Sequence, residues 1–161
     1  MAHEILSNHK PYPGSISTDI NGAGLTGYRA HLNDYKRVVV KLTTTTVGAN
    51  FTLTFLQYTA ATGGSSKALP FTRAKRIVAY TDPATTNAIS DVTVAADSLT
   101  IASASGNTQQ ILVEFRASEL DIQGGYEWLA PVLSDPAVAS RVSLDYIFGE
   151  NSLPGVDGDI I

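Results

Sequence analysis

Residues 50–71 read NFTLTFLQYTAATGGSSKALPF, and no other stretch says as much about the architecture. Phe51, Leu53 and Phe55 alternate with Thr52 and Thr54. A two-residue period of this kind marks a β-strand with one dry face and one wet, hydroxylated face. A loop of small residues covers 62–66, and Lys67-Ala68-Leu69-Pro70-Phe71 leads into the next strand. No side chain in this stretch is equipped to make or break a bond, and the same style recurs along the chain.

Upstream, the first convincing strand covers 35–43, centred on Val38-Val39-Val40. The turn Val47-Gly48-Ala49-Asn50 predicts a hairpin joining it to a strand over 51–58. Downstream, strands are expected at 71–80, 89–94, 98–102, 111–116, 126–133 and 141–148, with 89–94 and 98–102 joined across Ala96-Asp97. Ile111, Val113 and Phe115 share one face, as do Val142, Leu144, Tyr146 and Phe148. Asp82-Pro83, Ser105-Gly106-Asn107, Gly124-Gly125 and Asp135-Pro136 supply the breaks. One helical turn is expected over 118–121, capped by Ser118.

About eight short, turn-bounded strands without an amphipathic helix define an all-β protein, an antiparallel β-sandwich or barrel of jelly-roll-like form. Three parts are expected. Residues 1–34, punctuated by Pro11, Pro13, Gly14, Gly22, Gly24 and Gly27, form an extended N-terminal arm; 35–148 form the β-sandwich domain; 149–161 form an irregular C-terminal tail.

The 161 residues suit one domain with a substantial core. Charged residues make up 16% of the chain, against about 25% in a typical protein. Low charge with abundant Ser and Thr fits hydroxylated outer faces. Eleven Lys and Arg against fifteen Asp and Glu give a net charge of −4, which disfavours nucleic-acid binding through phosphate neutralisation. Cysteine is absent, so thiolate metal sites and disulfides are excluded. With no basic-then-apolar leader and no apolar run long enough for a bilayer, a soluble protein made in the cytoplasm is expected, with no membrane partner.

Candidate chemistry is sparse. His3, His9 and His31 match no metal-ligand spacing and read as solvated or locally packed. Asp157-Gly158-Asp159 lacks the further oxygen donors of a calcium loop. Glu114, Glu119, Asp121 and Glu127 have no partner that would make an acid–base pair, and surface or turn roles are expected of them. Gly63-Gly64-Ser65-Ser66-Lys67 has its glycines and lysine in the wrong order for a phosphate loop and introduces no helix. Asn50-Phe51-Thr52 meets the glycosylation sequon without a secretory context. No nucleophile, base and acid group together, so neither an enzyme nor a cofactor is expected.

Arg73, Lys75 and Arg76, with Lys67 upstream, form the one concentrated positive feature. Two readings stay open: a surface for acidic residues of a partner protein, or cations guarding an edge strand. Trp128, among Tyr126, Glu127 and Leu129, is expected to anchor the core.

The run Phe51-Thr52-Leu53-Thr54-Phe55-Leu56-Gln57-Tyr58-Thr59, then Lys67-Ala68-Leu69, resembles small virion proteins of tailed bacteriophages. So does Val113-Glu114-Phe115-Arg116-Ala117-Ser118-Glu119-Leu120-Asp121, followed by Gly124-Gly125-Tyr126-Glu127-Trp128-Leu129. The likeness is greatest to capsid decoration (cement) proteins and covers roughly residues 35–148. It implies a structural protein on the capsid exterior that binds the major capsid protein, bridges neighbouring subunits and pairs with itself as a homotrimer. Pro11, Tyr12 and Pro13 in the arm and Lys67, Arg73, Lys75 and Arg76 in the body are the expected partner-binding residues. The alternatives are a carbohydrate- or receptor-binding module of a tail fibre or spike, stacking sugars on Trp128 with Tyr126, Tyr12 or Tyr28, and a tail or head–tail connector subunit.

Overall fold

Alternating residues become paired strands throughout the computed structural model, which describes residues 9–32, 35–78, 89–95, 97–103 and 108–151. His3, the Asp82-Pro83 and Ser105-Gly106-Asn107 breaks, and the Asp157-Gly158-Asp159 tail lie outside the described residues. In chain order the strands are β1 (His9–Asp19), β2 (Leu25–Thr26), β3 (Ala30–His31), β4 (Tyr35–Val47), β5 (Phe51–Tyr58) and β6 (Ser66–Ala68). Then come β7 (Ala74–Val78), β8 (Ile89–Val92), β9 (Ser98–Ile101), β10 (Gln109–Arg116), β11 (Trp128–Leu133) and β12 (Ser140–Asn151).

The first sheet has the order β1-β12-β4-β10-β7-β8. The second runs β2-β11-β5-β6, with β3 also on β11 and β9 also on β5. All pairings are antiparallel. The chain switches sheets at most connections: β1 lies in the first, β2 and β3 in the second, β4 in the first, β5 in the second, and β9 to β12 alternate again. Such crossing builds the nested Greek keys of a jelly roll, here an open sandwich and not a closed barrel.

The predicted dry faces meet between the sheets. Val38, Val40 and Leu42 of β4, Ile111, Val113 and Phe115 of β10, and Val142, Leu144, Tyr146 and Phe148 of β12 are buried from one side. Phe51, Leu53 and Phe55 of β5 and Leu129 and Leu133 of β11 are buried from the other. Phe55 lies at the junction, its ring centroid 4.6 Å from Phe115 across the gap and 5.0 Å from Phe71, both edge to face.

Several expectations need correction. The hairpin expected between 35–43 and 51–58 does not form, because β4 and β5 belong to different sheets. Each carries an apolar stripe, and in facing sheets the two stripes cover one another, whereas in a hairpin they would share one face and need a further layer to cover them. For the same reason β8 and β9 fall in different sheets, with an isolated Ala95–Ser98 bridge in the connection between them. Residues 9–32, expected as part of an extended arm, are built into the sandwich: β1 pairs with β12, and β2 and β3 pair with β11. Breaks in the β1 register beside Pro13 and Ser15 hide this strand from a periodicity argument. The last strand also runs past 148, to Asn151. The helical turn is a 3-10 turn, Ala117–Glu119, closed by the Glu119 carboxylate accepting the Arg116 N–H at 2.8 Å, with no cap from Ser118.

Pro131 explains why β2 and β3 are separate. It sits within β11 and has no N–H to give its neighbour, so β2 pairs with Val132 and Leu133 and β3 with Trp128 and Leu129. Between them the Gly27 N–H donates to the Pro131 carbonyl at 2.9 Å. A Cβ at Gly27 would lie 2.9 Å from Pro131 Cγ and 3.0 Å from Leu144 Cδ1, so the crowded corner admits only glycine without movement.

Phe55→Ala is expected to lower stability by about 3–5 kcal/mol, since it opens a cavity between both sheets. Urea unfolding measures this, and a loss below about 1 kcal/mol would mean the Phe55 cluster does not hold the sheets together.

Candidate protein-interaction surfaces

On the outer face of the first sheet, side chains line up by register. Asp91, Lys75, Leu112, Lys41 and Asp145 form one row across β8, β7, β10, β4 and β12. Lys75 bonds Asp91 at 2.8 Å and Lys41 bonds Asp145 at 3.0 Å, with Leu112 between the two pairs. The adjoining row is Glu114, Val39 and Ile147. A groove of about 650 Å³ runs over these rows, its walls including Val39, Arg73, Lys75, Asp91, Leu112 and Glu114. A hollow of about 390 Å³ adjoins it among Lys36, Arg37, Glu114, Arg116 and Ser118. A third, about 210 Å³, is lined by Phe71, Arg73, Glu114 and Glu119 among others. Glu114, exposed as its alternation predicts, is common to all three.

The basic cluster expected from Lys67, Arg73, Lys75 and Arg76 is divided by the fold. Arg73 and Lys75 stay together at the groove, where Arg73 stands 3.7 Å from Glu119 with its side chain 71% exposed. Arg76 is half-buried opposite Ile111 on the core side of β7. Lys67 belongs to β6 in the other sheet. The edge-guard reading is corrected for β7, because β8 pairs with it.

Lys67 instead ties down a turn. Its ammonium is bonded to the Asp121 carboxylate and lies 4.3 Å from the Tyr126 ring centroid. Asp121 also accepts the Gly124 N–H at 3.0 Å, and its own N–H donates to Gln57 Oε1 at 2.9 Å. The Lys67 bond first, and the Gly124 N–H second, hold the Asp121 carboxyl below its ordinary value.

Pro11, Tyr12 and Pro13 lie in β1 at the outer edge of the first sheet. Tyr12 is 50% exposed, and Tyr28 close by is 58% exposed. The two share a fixed frame: the Tyr28 N–H donates to Gly14 at 2.8 Å, and the buried Tyr146 hydroxyl donates to the Tyr28 carbonyl. Burial pushes the Tyr146 phenol far above its ordinary value, so it remains a donor.

Trp128 is not the core anchor expected. It is half-buried on the outer side of the second sheet, stacked on His31 with ring centroids 4.3 Å apart. His31 is a strand residue opposite Trp128, locally packed as one reading of the histidines had it, and its Nε2 lies 3.2 Å from Glu127 Oε2. Tyr58, in the same row, has the Arg29 guanidinium 3.7 Å from its ring centroid. Arg29 also donates to the carbonyls of Ala60 and Gly63, both at 2.6 Å, which fastens the glycine-rich loop. The polar contacts of Arg29 and His31 span 31 to 96 residues of sequence, so no local motif announces them. Among the described residues no three His, Asp or Glu side chains are placed to hold a metal, and no helix is long and apolar enough to cross a membrane.

No family model matches this chain, and no curated protein matches it in sequence. In fold it is similar to the crystal structure of the SPBc2 prophage-derived protein YomS, with a TM-score of 0.50 at 11% identity, over 88% of this chain and 92% of that one. A structure of infectious bursal disease virus, Gt strain, superposes with a TM-score of only 0.22 at 10% identity, with 95% of this chain against 44% of that one, and carries no argument. The likeness to YomS establishes a shared jelly-roll architecture at a distance where sequence no longer speaks.

Because folding depresses the Asp121 pKa, its ion pair stabilises the fold above the ordinary value of 3.8 and is lost as pH falls through the folded value. Asp121→Asn is therefore expected to unfold at lower urea than the parent at pH 7, with the gap closing on acidification below 3.8. A gap that stayed constant down to pH 2 would show that the Lys67 contact contributes nothing.

Proposed function

We propose that this chain is a non-enzymatic structural protein of a bacteriophage virion, a decoration protein that binds the outer head lattice and bridges neighbouring capsid subunits. The observation that carries the reading is the jelly roll shared with a prophage-derived protein over nearly the full length of both chains. Its partners are the major capsid protein and further copies of itself in a homotrimer, and its location is the capsid exterior.

Three features support the assignment. The sheets are pinned by a continuous core, a stiff body suited to bearing load. Polar side chains of the second sheet are held in structural contacts: Lys67 with Asp121, His31 with Glu127, and Arg29 with backbone carbonyls. Asp121 and Tyr146 are both shifted away from neutrality, the wrong direction for an acid or base working near pH 7. A sugar-binding module centred on Trp128 is disfavoured because His31 covers one face of that ring and Lys67 sits over Tyr126, while the exposed Tyr12 and Tyr28 belong to a different part of the surface. Tyr12, Pro13 and Tyr28 on one side and Arg73 and Lys75 on the other offer contacts to lattice neighbours.

Cryo-electron microscopy of purified particles is the direct test. Density for the jelly roll at lattice junctions on the outer shell is expected. Density at the connector or tail would keep the virion assignment and reject decoration, and absence from the particle would end both.

A further inference from the structure

The three adjoining hollows around Glu114 have a charge opposite to that of the protein as a whole. The chain carries −4, yet the hollows are lined by five cations, Lys36, Arg37, Arg73, Lys75 and Arg116, against the carboxylates of Asp91, Glu114 and Glu119. Lys75 is spoken for by Asp91, and Arg37 is itself engaged. Lys36 and Arg116 are exposed and form no ion pair among the described residues. Arg73 is held only loosely, 3.7 Å from Glu119. Leu112 and Val39, both half-buried, give the largest hollow an apolar floor.

We propose that this groove docks an extended acidic segment of a partner protein, its apolar side chains on Leu112 and Val39 and its carboxylates toward Arg116, Lys36 and Arg73. The inference rests on the structural-protein reading for the identity of the partner as a virion component, but the recognition chemistry stands on the groove. The hollows continue from β8 across β10 to the 3-10 turn, a course that suits a strand-like peptide. Glu114 also separates a peptide from a nucleic acid. Its carboxylate, common to all three hollows, repels carboxylates and phosphates alike, but it can accept a backbone N–H, a donor that recurs along a peptide and is missing from a phosphodiester backbone.

A fluorescein-labelled decapeptide of alternating Asp and Leu, titrated into the full chain and followed by anisotropy, tests the docking. Binding is expected to weaken about tenfold in Arg116→Glu with Lys36→Glu, and further as salt screens the contacts. Arg116→Gln with Lys36→Gln should weaken it less, while Arg141→Glu, outside the groove, should leave it unchanged. Thermal melting of each variant confirms that the fold is kept. No binding by the parent, equal binding by the charge-reversed chain, or tighter binding of an oligothymidylate of equal charge would each overturn the inference. Occupancy on particles separates the two proposals. A parent chain that binds the peptide but is absent from particles ends the virion reading and leaves the groove standing. A charge-reversed chain that loses the peptide yet occupies particles like the parent overturns the groove as the lattice contact and leaves the virion reading standing.

Discussion

Phe55 pressed edge-on against Phe115 and Phe71 is the contact from which the rest of the architecture follows. Two sheets, each wet on the outside, can persist only if their inner faces interlock, and this cluster is where a ring from β5 meets a ring from β10. Edge-to-face aromatic pairs add about 0.5–1.5 kcal/mol to the burial of their area. The geometry also sets register: a one-residue slip of β5 would turn Phe51, Leu53 and Phe55 to the solvent together.

The demand for two facing stripes explains the crossing topology. A chain whose consecutive strands β4 and β5, and β10 and β11, lie in opposite sheets must leap the gap between the sheets at those connections. Pairing then comes from distant segments, such as β1 with β12 and β4 with β10. One consequence is a sandwich that closes over its own beginning, with residues 9–32 forming strands on both layers. Another is that β7, which a local reading could place at an edge, ends up flanked by β8 and β10.

The same long-range pairing engages several polar side chains of the second sheet. Lys67 caps Tyr126 and bonds Asp121, Arg29 covers Tyr58 and clasps the glycine-rich loop, and His31 shields Trp128. Such contacts stiffen the second sheet and leave the outer face of the first as the place where charge is unevenly distributed.

Strand character was legible in the residues themselves. Apolar residues recur at every second position over 51–55, 111–115 and 142–148, with Thr, Ser, Asp or Glu between most of them, and a two-residue period has one solution, a strand with one buried face. The predicted inner residues of β5, β10 and β12 are buried for that reason. The glycines and prolines of residues 9–32 disguised strands as a lead-in, because bulges break the period that reveals them. Which sheet each strand joins, and that Trp128 meets His31 or that Lys67 leaves the basic cluster for Asp121, depended on partners tens of residues away. Alternation is a property of neighbours along the chain, whereas pairing across a sandwich is settled by the burial of all the stripes at once.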